Sequence, residues 1–237
     1  MFIILGYDGL EYDFVEKNNF PNLKQQSHGM TDLSEFKEPR TIVIWSSFMV
    51  GKNLEADILK QGAKMWGSKI KPEDTFLKNF KSHYTIDVPG FSYVLKQHET
   101  ERDLLKGFFD KKNGIKEFDK CAFDHHKFVK EQFFKELKTN KDLVFGYFNL
   151  ADVVGHLSFG QELKMKLIYQ ELNDIAKKVQ TEHPDATILI ISDHGMQAIG
   201  QFGDHSRHGF WSLNKQISLN NPKPTDFANL ISQNFQI

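Results

Sequence analysis

Cysteine is all but missing. Cys121 is the only one in 237 residues, so no internal disulfide can form and no CxxC pair is available. Any bound metal must then be held by histidine and carboxylate groups. That usage points to a reducing compartment. Neither sign of charge dominates, with 30 Lys and Arg against 31 Asp and Glu, and this leaves no global attraction for a nucleic-acid polymer. Long hydrophobic runs are lacking too. The opening "MFIILGYDGL" is too short for a signal peptide, and nothing approaches the roughly 20 apolar residues of a membrane span. The expectation is a cytoplasmic protein without a membrane partner, and with no internal repeat or low-complexity segment.

What is abundant is phenylalanine, 22 residues of it, which predicts a core packed with aromatic rings. The length fits a single domain over residues 1–237, with a small cap-like insertion within about residues 53–140. Short apolar runs at Met1 to Leu5, Tyr84 to Val88, Leu143 to Leu150 and Ala186 to Ser192 predict strands. Helical periodicity predicts a helix over Glu162 to Gln180, with Leu163, Leu167, Ile168, Leu172, Ile175 and Val179 as its buried stripe. A second runs over Asp124 to Lys138 with Phe128, Phe133, Phe134 and Leu137, and a short last helix over Asp226 to Asn234 follows the turn "NNPKPT". Strands alternating with helices predict an α/β fold, a doubly wound, mostly parallel sheet with helices on both faces. In such a sheet ligands gather beyond the carboxyl ends of the strands.

Those ends carry one kind of chemistry. Asp8 follows the first strand; Asp152 and His156, in "DVVGH", follow the third; Asp193 and His194, in "ISDHGM", follow the fourth. The i, i+4 spacing of Asp152 and His156 puts both on one face of a helical turn. "GDHSRHGFW" adds His205 and His208 in a glycine-punctuated loop. Each residue alone has a plain structural reading, as an Asx turn, a helix cap or a solvated helix pair. Together they form the oxygen and nitrogen ligand set of Zn²⁺, Mn²⁺ and similar ions, in two clusters that suggest two metals. The other histidines, His28, His83, His98, His125, His126 and His183, have no such context and are expected at the surface.

"RTIVIWSSFMVGK" places Thr41 near the first turn of an apolar helix that stops at Gly51. An N-cap threonine is one reading. The other is a nucleophile, since coordination to a divalent ion lowers the hydroxyl pKa and a helix N-terminus favours the developing anion.

Taken in order, "GYDGL", "RTIVIWSSFMVGK", "ADVVGHLSFG", "ISDHGM" and "GDHSRHG" resemble the alkaline phosphatase superfamily, most closely its type I phosphodiesterase/nucleotide pyrophosphatase branch. The resemblance implies one metal on Asp8, Thr41, Asp193 and His194 and another on Asp152, His156 and His205. His208 is the rival seventh ligand or a contact to the substrate phosphoryl group. Arg40 stands where relatives often have proline, and either contacts phosphate or faces solvent. "IDVPGFSY" from Ile86 resembles a substrate-side segment. The implied function is metal-dependent phosphoester hydrolysis by Thr41, through a phosphothreonine, between two ions roughly 4 Å apart. The implied substrate is a small phosphoester such as a nucleotide or phosphodiester. Two alternatives stand beside it: a phosphomonoesterase or phosphomutase of the same superfamily, and a non-catalytic metal-binding protein that recognises phosphorylated partners.

Overall fold

The computed structural model describes residues 1–234. Its strands are β1 (Phe2–Tyr7), β2 (Ser27–Asp32), β3 (His83–Ile86), β4 (Leu143–Phe148), β5 (Thr187–Ile191), β6 (Met196–Ile199), β7 (Phe202–His205) and β8 (His208–Leu213). Its helices are α1 (Tyr12–Lys17), α2 (Thr41–Val50), α3 (Glu55–Leu59), α4 (Leu95–Phe109), α5 (Ile115–Glu136), α6 (Leu150–Ser158), α7 (Glu162–Glu182) and α8 (Asp226–Asn234). Six strands form one sheet in the order β2-β8-β5-β1-β4-β3, while β6 and β7 make a separate hairpin. β1 pairs in parallel with β4 on one side and β5 on the other, and β3 continues in parallel from β4. Only β8 opposes its neighbours β2 and β5. This is the mostly parallel α/β sheet expected.

All of β1 is buried because alternate side chains enter two different cores. Ile3, Leu5 and Tyr7 pack with Phe133 of α5, Val154 of α6 and Leu172 of α7. Phe2 and Ile4 pack with Trp45 and Phe48 of α2 and Ile231 of α8. Helices therefore cover both faces, and rings do much of the filling: Trp45 meets Phe48, Phe145 and Tyr147 with centroids 5.5 to 5.8 Å apart. Residues 53–140 hold α3, short 3-10 turns, β3, α4 and α5. No helix among the described residues is long and apolar enough to cross a membrane.

Several expectations need correction. On α7 Leu163 and Leu167 are 76% and 67% exposed, and the buried stripe runs instead through Met165, Ile168, Tyr169, Leu172, Ile175, Ala176 and Val179. That stripe keeps the three-and-four spacing better than the leucines do, and Tyr169 belongs to it because its hydroxyl finds a backbone partner at Glu11. α5 starts nine residues before the expected Asp124, and Phe128 on it is exposed. The stretch "GDHSRHGFW", expected as a loop, contributes to β7 and β8. Its glycines are accommodated because neighbours press on them: a Cβ at Gly209 would stand 2.5 Å from the Ser192 carbonyl oxygen.

Candidate active site

β1, β4 and β5 are adjacent, so the residues that follow their carboxyl ends converge at the point where the chain order reverses about β1. Asp8 sits directly beyond β1, anchored by its N–H to the Phe148 carbonyl at the end of β4 (3.0 Å). Gly9 lets the chain leave this point. Its φ is +71°, and a Cβ there would lie 2.8 to 2.9 Å from the Asp152 backbone and Cβ, so the β1 turn and the first turn of α6 are in direct contact. Asp193 and His194 follow β5, and both are fully buried.

The donor atoms fall into two groups. In the first, His194 Nε2 is 3.3 Å from Asp8 Oδ1 and 3.4 Å from Asp193 Oδ2. In the second, Asp152 Oδ1 is 3.5 Å from His156 Nε2 and 3.3 Å from His205 Nε2, and the two imidazoles are 3.4 Å apart. Ligands held about 2.1 Å from a tetrahedral ion stand about 3.4 Å from each other. Asp8 Oδ1, both Asp193 oxygens, Asp152 Oδ1 and His194 Nε2 are all buried without a hydrogen-bond partner, a costly state that a shared cation relieves. The groups adjoin: the His194 and His205 rings stack with centroids 3.6 Å apart.

Electrostatics point the same way. Burial, then repulsion from Asp193 and Asp152, pushes the Asp8 carboxyl well up. Burial likewise lifts Asp193 to about 7, because close carboxylates do not all ionise without a counter-charge. Burial drives His194 down to about 3, leaving it neutral. Its Nδ1 lies 3.1 Å from the Gly195 carbonyl, an acceptor only, so Nδ1 carries the proton and Nε2 offers its lone pair. Burial opposes charge on His156 too, but Asp152 outweighs it and holds the ring at about 9. The first group thus lacks the positive charge its carboxylates call for, while in the second the two imidazoles supply it to Asp152. Both sets of donors are ones a divalent ion accepts.

Thr41 is the first residue of α2, and Arg40 takes the cap position, so Thr41 is not the N-cap residue. Thr41 lines a cavity of about 160 Å³ together with Asp8, Asp152, His156 and His205. His208 is elsewhere: its Nε2 is 2.7 Å from Glu11 Oε1, in a separate groove that Glu11 and Ser206 also line. Arg40 is turned to Glu38 (2.9 Å) on the surface.

Three features were not read from the sequence. Tyr147 donates its hydroxyl to Asp8 Oδ2, which leaves Oδ1 facing His194. Glu11 accepts from Met196 N (2.9 Å), Ser206 Oγ (2.9 Å) and His208, and so ties the β6–β8 segment to the β1 turn. His98, His125 and His126, expected at the surface, are buried. His98 and His125 converge on Asp87, which follows β3 and bonds their Nε2 atoms at 2.9 and 2.6 Å. Those separations are hydrogen bonds, shorter than the spacing of ligands around an ion. Asp87 belongs to "IDVPGFSY", the segment that resembles a substrate-side stretch; of that segment Tyr93 lines the cavity, while Asp87 faces the two histidines.

No protein-family model and no curated protein matches this chain. A solved structure of murine ectonucleotide pyrophosphatase/phosphodiesterase 5 superposes with a TM-score of 0.49 at 12% identity, covering 83% of this chain and 57% of that one. The chain thus spans little more than half of that protein's resolved length.

Proposed function

We propose that this chain is a metal-dependent phosphoester hydrolase, acting on phosphodiesters or nucleotide pyrophosphates, with Thr41 as nucleophile. The observation that carries the reading is the convergence of two Asp/His groups at tetrahedral-ligand spacing, with four carboxylate oxygens of Asp8, Asp152 and Asp193 buried without partners, beside a cavity that Thr41 lines. Zn²⁺ or Mn²⁺, one held by Asp8, Thr41, Asp193 and His194 and one by Asp152, His156 and His205, would neutralise phosphoryl oxygens and lower the pKa of the hydroxyl.

The chain's own residues do the rest. Thr41 gives its proton to solvent, and its Oγ forms the new bond to phosphorus as the alcohol leaves and takes a proton from water. A second water then cleaves the phosphothreonine and restores the hydroxyl. The N-terminus of α2 favours the anion that develops at Thr41. Tyr147 and the Gly195 carbonyl hold Asp8 and His194 in orientation.

The test is hydrolysis of bis-p-nitrophenyl phosphate and p-nitrophenyl phosphate with added Zn²⁺ or Mn²⁺, with and without a chelator. Thr41→Ala is expected to fold with the wild-type melting temperature when both proteins are metal-free, and to lose at least about 10³-fold in turnover. Wild-type rates in that variant, or rates that survive chelation, would remove the proposal. Preference for the monoester would move it to a phosphatase. Metal binding without any turnover would make the chain a non-catalytic binder.

A further inference from the structure

Beyond the reacting centre the same cavity is lined by Trp66, Tyr93 and Arg102. Resting on the hydrolase reading, we propose that Arg102 binds a second anionic group of the substrate, a phosphate or carboxylate carried away from the reacting phosphorus.

The Arg102 guanidinium lies over the Trp66 ring, 4.4 Å from its centroid. Among the described residues no carboxylate is within ion-pair distance of it. Stacking holds the planar fork flat beside the Tyr93 hydroxyl, which takes one of its N–H groups, and the remaining edge can still take two oxygens of a phosphate or carboxylate at once. A cation in a cavity with no counter-ion of its own is a standing site for an anion.

Arg102 is also aimed. The residue before it on α4, Glu101, is buried and fully engaged: it accepts from Gln97 Nε2 (3.1 Å), Asn149 Nδ2 (2.9 Å) and His98 Nδ1 (3.0 Å). His98 is gripped on its other side by Asp87 and stacks on Tyr93 with centroids 4.0 Å apart. This network fixes the rotation of α4 against the ends of β3 and β4. The next side chain, about 100° around the helix, is thereby set toward the cavity. It also turns Glu101, a carboxylate on this part of the wall, onto three donors of its own, away from the incoming anion.

Three non-hydrolysable ligands test the idea by calorimetric titration of the Zn²⁺- or Mn²⁺-loaded protein: propylphosphonate, 3-phosphonopropionate and propane-1,3-diphosphonate. The two bifunctional ligands are expected to bind at least about tenfold more tightly than propylphosphonate, and the larger gain tells carboxylate from phosphate. In Arg102→Gln the ratio falls to near one. Arg102→Lys, which keeps the charge and loses the fork, retains part of it and serves if the glutamine variant fails to fold. Equal affinity for all three ligands in the wild type, or an unchanged ratio in both variants, overturns the anion site and leaves the hydrolase reading intact. Binding of none of them by a protein shown by dialysis to hold metal overturns both.

Discussion

At Asp8 one carboxylate faces two tasks, and its two oxygens divide them. Tyr147 occupies Oδ2, and Oδ1 is left to the histidine side of the cluster. Tyr147→Phe should therefore fold but bind metal about 10- to 100-fold more weakly, read by competition with a chromophoric chelator; unchanged affinity would show that the phenol does not position Asp8. Gly9→Ala is expected to destabilise by more than about 1 kcal/mol, since φ there is +71° and the new methyl would meet the Asp152 backbone. Denaturant unfolding measures it. Asp8, Asp152 and Asp193 were legible in the sequence because each follows an apolar run that can only be an interior strand. Tyr147 was not, because a tyrosine within "LVFGYFNL" reads as one more core ring until its hydroxyl is seen to meet Asp8. Nor was the burial of His98, which needs partners from the β3 end and α4 together.

At the scale of elements, α7 separates burial from mere hydrophobicity. Leu172→Ala should cost about 2 to 5 kcal/mol, while Leu163→Ala should stay within about 0.5 kcal/mol, because Leu172 is fully buried and Leu163 is 76% exposed. The pair of chemical denaturation curves decides it. The same helix is tied to α5 by Glu171, which meets His126 at 3.0 Å and pairs with Lys130. The hydrogen bond from His126 is the chief cause that holds the Glu171 carboxyl down at about 2 against an ordinary 4.5. A depressed carboxyl stabilises the fold fully above its unfolded pKa, and that contribution is lost as pH falls from about 4.5 toward 2. Glu171→Gln should flatten this acid limb of a melting-temperature profile. Periodicity made α7 and most of α5 legible, but it did not reveal α4, whose buried side chains include the polar His98 and Glu101. The facing of α7 was not legible, because a leucine at either border of a stripe satisfies the pattern and only the neighbouring layer decides which border is covered.

For the whole molecule, the doubly wound sheet followed from the alternation of apolar runs and helical patterns, and so did the gathering of the site at one edge. The antiparallel β2–β8 pair did not: "SHGMTD" lies at the sheet border with exposed His28 and Met30, and its polarity hides it. Because the donor groups join β1, α6, β5 and β7, metal should stabilise the fold as a unit. With free metal at 100 times its Kd the gain is about 2.7 kcal/mol, or roughly 5 to 10 °C in Tm for a chain of this size; a calorimetric scan showing no rise would count against two cation sites. The central position of β1 also bears on biosynthesis. Tyr7 and Thr187 stand 180 positions apart, so at ribosomal speed "FIILGY" waits roughly 10 to 40 s for its second neighbour. Until then this wholly apolar ribbon keeps one edge open even after β4 has paired with the other, and the nascent chain's dependence on holdase chaperones should end only when β5 emerges.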